Sequence, residues 1–184
     1  MQRLALATAA AAFVLLGSTV RAEPPSAGEV GRFLGEATPV CTFKPAAACI
    51  DAGWRFADRN GDGQLGMDEA DAVRDGVQSW FLNARDSLPK RTSAGIAVGL
   101  LALKVVGVES LLGSYDADGD GSLSREEALA DVSLDGRPLP LILQDRAAVD
   151  WQRFLDRLGA GGLVAGDLIP KGDPADETAN GAAE

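Results

Sequence analysis

Along the middle of this chain apolar residues recur at three- and four-residue steps, the spacing of one helical face. Ile50, Gly53, Trp54 and Ala57 form one such set, and Val108, Leu111, Leu112 and Tyr115 form another. Ala70, Val73, Val77, Trp80, Phe81 and Ala84 continue the pattern and predict an amphipathic helix. Two long helices are expected, about 68–86 and 93–115, hinged at Ser87 to Arg91, where Pro89 and the residue before it disfavour continuous helix. Ala128, Leu129 and Val132 predict a shorter helix that Asp135-Gly136-Arg137-Pro138 stops. Ala148, Trp151, Phe154, Leu155 and Leu158 line a last helix over 145–158, with an Asp145 cap and Gly159 at its end. A loose N-terminal helix runs from Glu23 to about Glu36 through Val30, Phe33 and Leu34. These elements predict an all-α fold.

Between the helical sets lie two twelve-residue stretches of the same design. The first runs from Asp58 to Glu69 and the second from Asp116 to Glu127, and both satisfy D-x-[DN]-x-[DN]-G-x5-E. Similar acidic strings occur in calcium loops that lack an entering helix, but here apolar helical sets stand on both sides. The chain therefore resembles the EF-hand calcium-binding proteins, and the resemblance implies two helix–loop–helix units, each holding one Ca2+. A calcium ion takes 6–8 oxygen ligands, so oxygens must recur at alternate positions around a sharp turn. Asp58, Asn60 and Asp62 are the expected side-chain ligands of the first loop, with the Gln64 carbonyl, a turn at Gly63 and a closing bidentate Glu69. In the second loop the same places fall to Asp116, Asp118, Asp120, the Ser122 carbonyl, Gly121 and Glu127. Leu65 and Leu123 share loop position eight, which in paired EF-hands forms a short antiparallel bridge.

The two loops differ at position nine and in charge. Ser124 offers a hydroxyl that can hold a bridging water, whereas Gly66 offers no side chain. The second loop carries four carboxylates and the first three, which ranks the second as the tighter site. The long interval from one loop to the other departs from the compact paired pattern.

Composition then limits the functions. The chain is acidic, with net charge −10 and pI near 4.5, which argues against nucleic acid and anionic membrane surfaces as partners. It has no histidine, which removes histidine-based acid–base catalysis and most zinc and iron sites. No Ser, Lys or free thiol stands in a catalytic arrangement, so a binding protein is expected and not an enzyme. Ala94 to Val108 is nearly all apolar but is interrupted by Lys104 and glycines, and it reads as a buried helix entering the second loop instead of a membrane span.

The first 22 residues have the form of a secretory signal peptide: Arg3, an apolar run from Leu4 to Leu16, and small residues ending at Ala22. An uncleaved anchor is the alternative, for which the run is short. Export to the periplasm or medium would let Cys41 and Cys49 pair, stabilising the fold by ~2–3 kcal/mol, the alternative being two buried thiols. The domain plan is thus a signal peptide (1–22), an N-terminal segment (23–45), the paired-loop domain (46–158) and a disordered tail (159–184). The 145–158 helix packs on the core or fills a groove that the paired loops would offer a target helix. Within the family, structural, buffering and sensing roles stay open. The single mature methionine, Met67, weighs against a Met-rich sensor groove. The role expected first is a structural or interaction-type calcium protein. The alternative is a calcium-responsive adaptor for an envelope or secreted partner.

Overall fold

The computed structural model describes residues 22–159. The expected signal peptide, apart from Ala22, and the expected tail beyond Gly159 lie outside the described residues. The fold is all-α, with a single two-stranded ribbon among the described residues.

Helix α1 spans Ala27–Phe43 and α2 spans Ala46–Ala57. α1 starts later and runs further than its apolar spacing predicts. Its start is fixed by a capping box: the Glu29 amide donates to Ser26 Oγ (3.3 Å), and the Ser26 amide donates to Glu29 Oε2 (2.8 Å). It continues to Phe43 because it packs along α3, Met67–Ala84, as well as α2. Val30, Ala37, Ala72 and Phe81 are buried on these helices, and Phe33 stacks on Phe56 with ring centroids 4.2 Å apart. Cys41 and Cys49 are joined in a disulfide that staples α1 to α2, with Cα atoms 4.5 Å apart.

Ahead of α1, residues 22–25 form a strap across α3. The Ala22 amide donates to Asp68 Oδ2 (3.0 Å), and Pro25 is fully buried. Gly76 makes this approach feasible, since a Cβ there would stand 2.5 Å from Pro25 Cγ and 2.6 Å from its carbonyl oxygen.

The expected helix over 93–115 is two helices. α4 covers Lys90–Val106 and α5 covers Val108–Tyr115, bent by 78° at Gly107, whose φ of 82° no regular helix accommodates. Only α5 enters the second loop. α4 has no buried residue, so the expectation of a buried entering helix over 94–108 fails for its greater part. No single described helix is long and apolar enough to cross a membrane. The α4–α5 pair meets length and composition together, but only across its bend.

After the second loop, α6 is one turn, Arg125–Ala128, and α7, Leu139–Ile142, is a further short helix that apolar spacing did not predict. α8 spans Trp151–Leu158 and is capped by Asp150, whose Oδ1 accepts from the Arg153 amide (3.0 Å). Asp145 is not that cap: it holds a turn at Ala147 and pairs with Arg137 (2.7 Å). α8 packs against α5, and Trp151 lies on the buried cluster of Ala46, Ile142, Ala148 and Val149. That is core packing. A second cluster, Val108, Leu112 and Leu123, sits under the paired loops.

Gly76→Ala should lower stability by about 1–3 kcal/mol through overpacking against Pro25, read as a lower denaturation midpoint. Reducing the Cys41–Cys49 bond should cost about 2–3 kcal/mol, measurable by urea unfolding with and without reductant.

Candidate metal centre

Two loops bring the sequence-predicted residues together in matching conformations. The first joins α2 to α3 and the second joins α5 to α6. Each turns through two left-handed glycines, Gly61 and Gly63 at φ 76° and 85°, and Gly119 and Gly121 at φ 75° and 85°. The motif singles out Gly63 and Gly121. The earlier pair escapes it, although Asn-Gly and Asp-Gly are recognisable turn signals.

The hydrogen bonds repeat from loop to loop. Asp58 accepts from the Gly61 and Gly63 amides (2.7 and 2.9 Å), and Asp116 accepts from Gly119 and Gly121 (2.7 and 3.0 Å). Asn60 Oδ1 accepts from the Asp62 amide as Asp118 Oδ1 accepts from that of Asp120. Asp62 Oδ1 accepts from the Gln64 amide as Asp120 Oδ1 accepts from that of Ser122. These side chains use local bonds to bend the backbone.

Each loop is closed by its glutamate. Glu69 Oε1 accepts from the Arg59 and Asn60 amides (2.8 and 3.0 Å), and Oε2 accepts from Gly66 (3.1 Å). Its side chain is buried. Glu127 Oε1 accepts from Ala117 and Asp118 (2.8 and 3.3 Å), and Oε2 from the Ser124 amide and hydroxyl (2.9 and 2.8 Å). The Ser124 bonds, with that from Ala117, hold the Glu127 carboxyl down at about 2. The closure is therefore complete above the ordinary 4.5 and is lost as pH falls toward 2. The Ser124 hydroxyl, expected to hold water, is engaged with Glu127 and caps α6.

Leu65 pairs with Leu123, and Gly66 with Ser122, in the antiparallel ribbon that position eight implied. Leu123 enters the buried cluster with Leu65 packed against it. A further link was not legible: Gln64 Nε2 donates across the ribbon to Asp120 Oδ2 (3.3 Å). In the first loop the equivalent acceptor, Asp62 Oδ2, is held from within by Asn60 Nδ2 (2.9 Å). Asp118 cannot donate in that way, so the second loop takes its amide donor from the first. Trp54 Nε1 donates to the Gly63 carbonyl (3.1 Å), while Arg125 lies over the Trp54 ring (5.6 Å) and pairs with Asp51.

Asp116, Asp118 and Asp120 each present a carboxylate oxygen within 4.8 Å of the others. No Lys or Arg among the described residues forms an ion pair with them, or with Asp58, Asp62, Glu69 or Glu127. Carboxylates this close repel one another unless a cation intervenes. The donor set, hard oxygens without histidine or thiolate, fits a metal ion of oxygen preference. In the first loop Asn60 stands between Asp58 and Asp62, so the three-carboxylate cluster belongs to the second loop.

Behind the second loop lies a cluster that the sequence did not reveal. The buried Asp131 accepts from Tyr115 Oη (2.8 Å) and pairs with Arg157 (2.9 Å), whose guanidinium lies 4.3 Å from the Tyr115 ring centroid. Burial first, then the bond to Asp131, raises the Tyr115 hydroxyl well above its usual range. The cluster ties α8 to the residue preceding Asp116. No protein-family model, curated protein or solved structure matches this chain.

Glu69→Ala would leave the amide donors of Arg59, Asn60 and Gly66 without their acceptor. It should destabilise the protein by about 1–3 kcal/mol even in chelator, where loss of a metal ligand alone would have no effect. Thermal or urea unfolding in excess chelator checks this.

Proposed function

We propose that this chain is an exported calcium-binding protein of EF-hand type with two sites, in which calcium stabilises the fold or an interaction surface. The observation that carries the reading is the Asp116–Asp118–Asp120 cluster, with which no Lys or Arg among the described residues forms an ion pair. The hydrogen bonds the two loops share, their paired left-handed glycines and the Leu65–Leu123 ribbon support extending it to both. A bound calcium ion would supply the positive charge these oxygens lack. Asp58, Asn60, Asp62, Glu69 and the Gln64 carbonyl would hold one ion. Asp116, Asp118, Asp120, Glu127 and the Ser122 carbonyl would hold the other, with Ser124 positioning Glu127 by its hydroxyl bond.

A structural or interaction-type role is favoured over a sensor. α8 is already locked to α5 through Arg157, which donates to the Ser114 carbonyl and pairs with Asp131. Opening the second unit would break that lock. In this reading the protein is not an enzyme, and its low-molecular-weight partner is the ion itself. The Cys41–Cys49 disulfide is compatible with an oxidising, exported setting.

Calorimetric titration of the cleaved protein should give two calcium ions per chain. Weak sites in the range of about 10⁻⁴–10⁻³ M are expected for an extracellular module. At tenfold excess over Kd, one site would add about 1.4 kcal/mol to stability, visible as a higher Tm. Glu127→Gln should remove the tighter site and Glu69→Gln the weaker. The reverse order would refute the ranking, and absence of binding heat and of any Tm shift would refute the function.

A further inference from the structure

The least expected feature of this fold is α4, a 17-residue helix with no buried residue. Its outward stripe runs Lys90, Ala94, Ala97, Leu101 and Val105, at helical steps of three and four. Leu101 and Val105 are 56% and 63% exposed, and Leu82 on α3, 55% exposed, stands at the lip of the groove that α4 forms with α3.

Charge is distributed equally oddly. α4 contains Lys90, Arg91 and Lys104 and no Asp or Glu, in a chain of net charge −10. Among the described residues these three cations form no ion pair. Two acidic residues of the α3–α4 hairpin are already engaged, Asp75 by Arg74 (2.8 Å) and Asp86 by Arg85 (3.8 Å). Whole-chain charge predicts repulsion from an anionic surface, but at physiological salt a charge acts over only about 8 Å. The local set therefore decides.

We propose that α4 is a membrane-surface element that lies flat on anionic phospholipid, its apolar stripe in the headgroup boundary and its cations on the phosphates. α4 leaves Leu101 and Val105 exposed, carries three cations and no acid, and is too short to span by itself. A second copy and a neutral protein fit the charges less well. A second copy seated on α4 would bring Lys90 and Arg91 against Lys104 in an antiparallel pair, or each against itself in a parallel one. A neutral apolar partner would leave the three cations unmatched. The 78° bend at Gly107 sets α4 off from α5, so the surface is separate from the loops and does not rest on the calcium reading.

The test is flotation of the full exported chain with phosphatidylglycerol/phosphatidylcholine vesicles and with pure phosphatidylcholine vesicles. Both are run in excess chelator, so that calcium cannot bridge carboxylates to lipid. Binding to the anionic vesicles alone, weakened by high salt, is expected. Replacing Lys90, Arg91 and Lys104 together by Gln should lower partitioning on the order of 100-fold, at about fivefold per cation. Leu101→Glu with Val105→Glu should abolish it while leaving the helical circular dichroism unchanged, since neither side chain is buried. Equal partitioning onto both vesicle types, or none onto either, would overturn the proposal. So would a solution dimer that Leu101→Glu dissociates in a protein that ignores vesicles, which would assign the face to a second copy.

Discussion

One glutamate carboxylate per loop holds each half of this molecule together. Glu69 and Glu127 stand at the start of the exiting helices, yet each reaches back to the amides of the second and third loop residues. Through its other oxygen each also holds the amide at the last loop position before the helix. One side chain thus fixes the distance between the entering helix, the turn and the exiting helix. The aspartates can converge only because that distance is fixed, and Leu65 and Leu123 can meet only because both loops are closed alike. The acceptors are charged and the donors belong to the backbone, so the closure is stronger than a neutral hydrogen bond would be.

Loops of matching conformation are embedded in unlike surroundings. The first is followed by the 18 residues of α3, which carries α1 and the strap along its length. The second is followed by a single turn, α6. What helix length does for the first unit, long-range side-chain links do for the second. Arg125 reaches Asp51 and the Trp54 ring on α2, and Asp131 gathers Tyr115 and Arg157 from α5 and α8. The small apolar clusters beneath the loops and under Trp151 are separate, so these polar links matter more than they would around one continuous core.

The parts that the sequence reveals and those it conceals divide along physical lines. The loops are legible because their residue types act on their own backbone: aspartate bends it, glycine lets it turn, and glutamate closes it. The helical faces of α2, α3 and α5 are legible from periodicity for the same local reason. Periodicity carries α4 straight through Gly107 because an apolar repeat does not register a left-handed backbone, and that stretch holds other glycines that remain helical. Apolar spacing starts α8 six residues early, since Asp145 and Asp150 are equally good caps in isolation and only the pairing with Arg137 removes the first. Ser26-x-x-Glu29 is a readable start signal that a weak apolar pattern obscured. The Asp131 cluster and the Gln64–Asp120 bond join residues far apart in the chain, and neither has a local sign.

The strap over α3 bears on the order of events in the life of the chain. A peptidase reads several extended residues around the bond it cuts, and the cleavage expected after Ala22 falls within a segment that the fold ties down. The Ala22 amide is bonded to Asp68, and three residues later Pro25 is fully buried against Gly76. Once the strap has docked, the Ala22–Glu23 bond is a poor substrate. A chain cut there would lose Ala22 and with it the bond to Asp68, leaving Pro25 against Gly76 as the strap's remaining anchor.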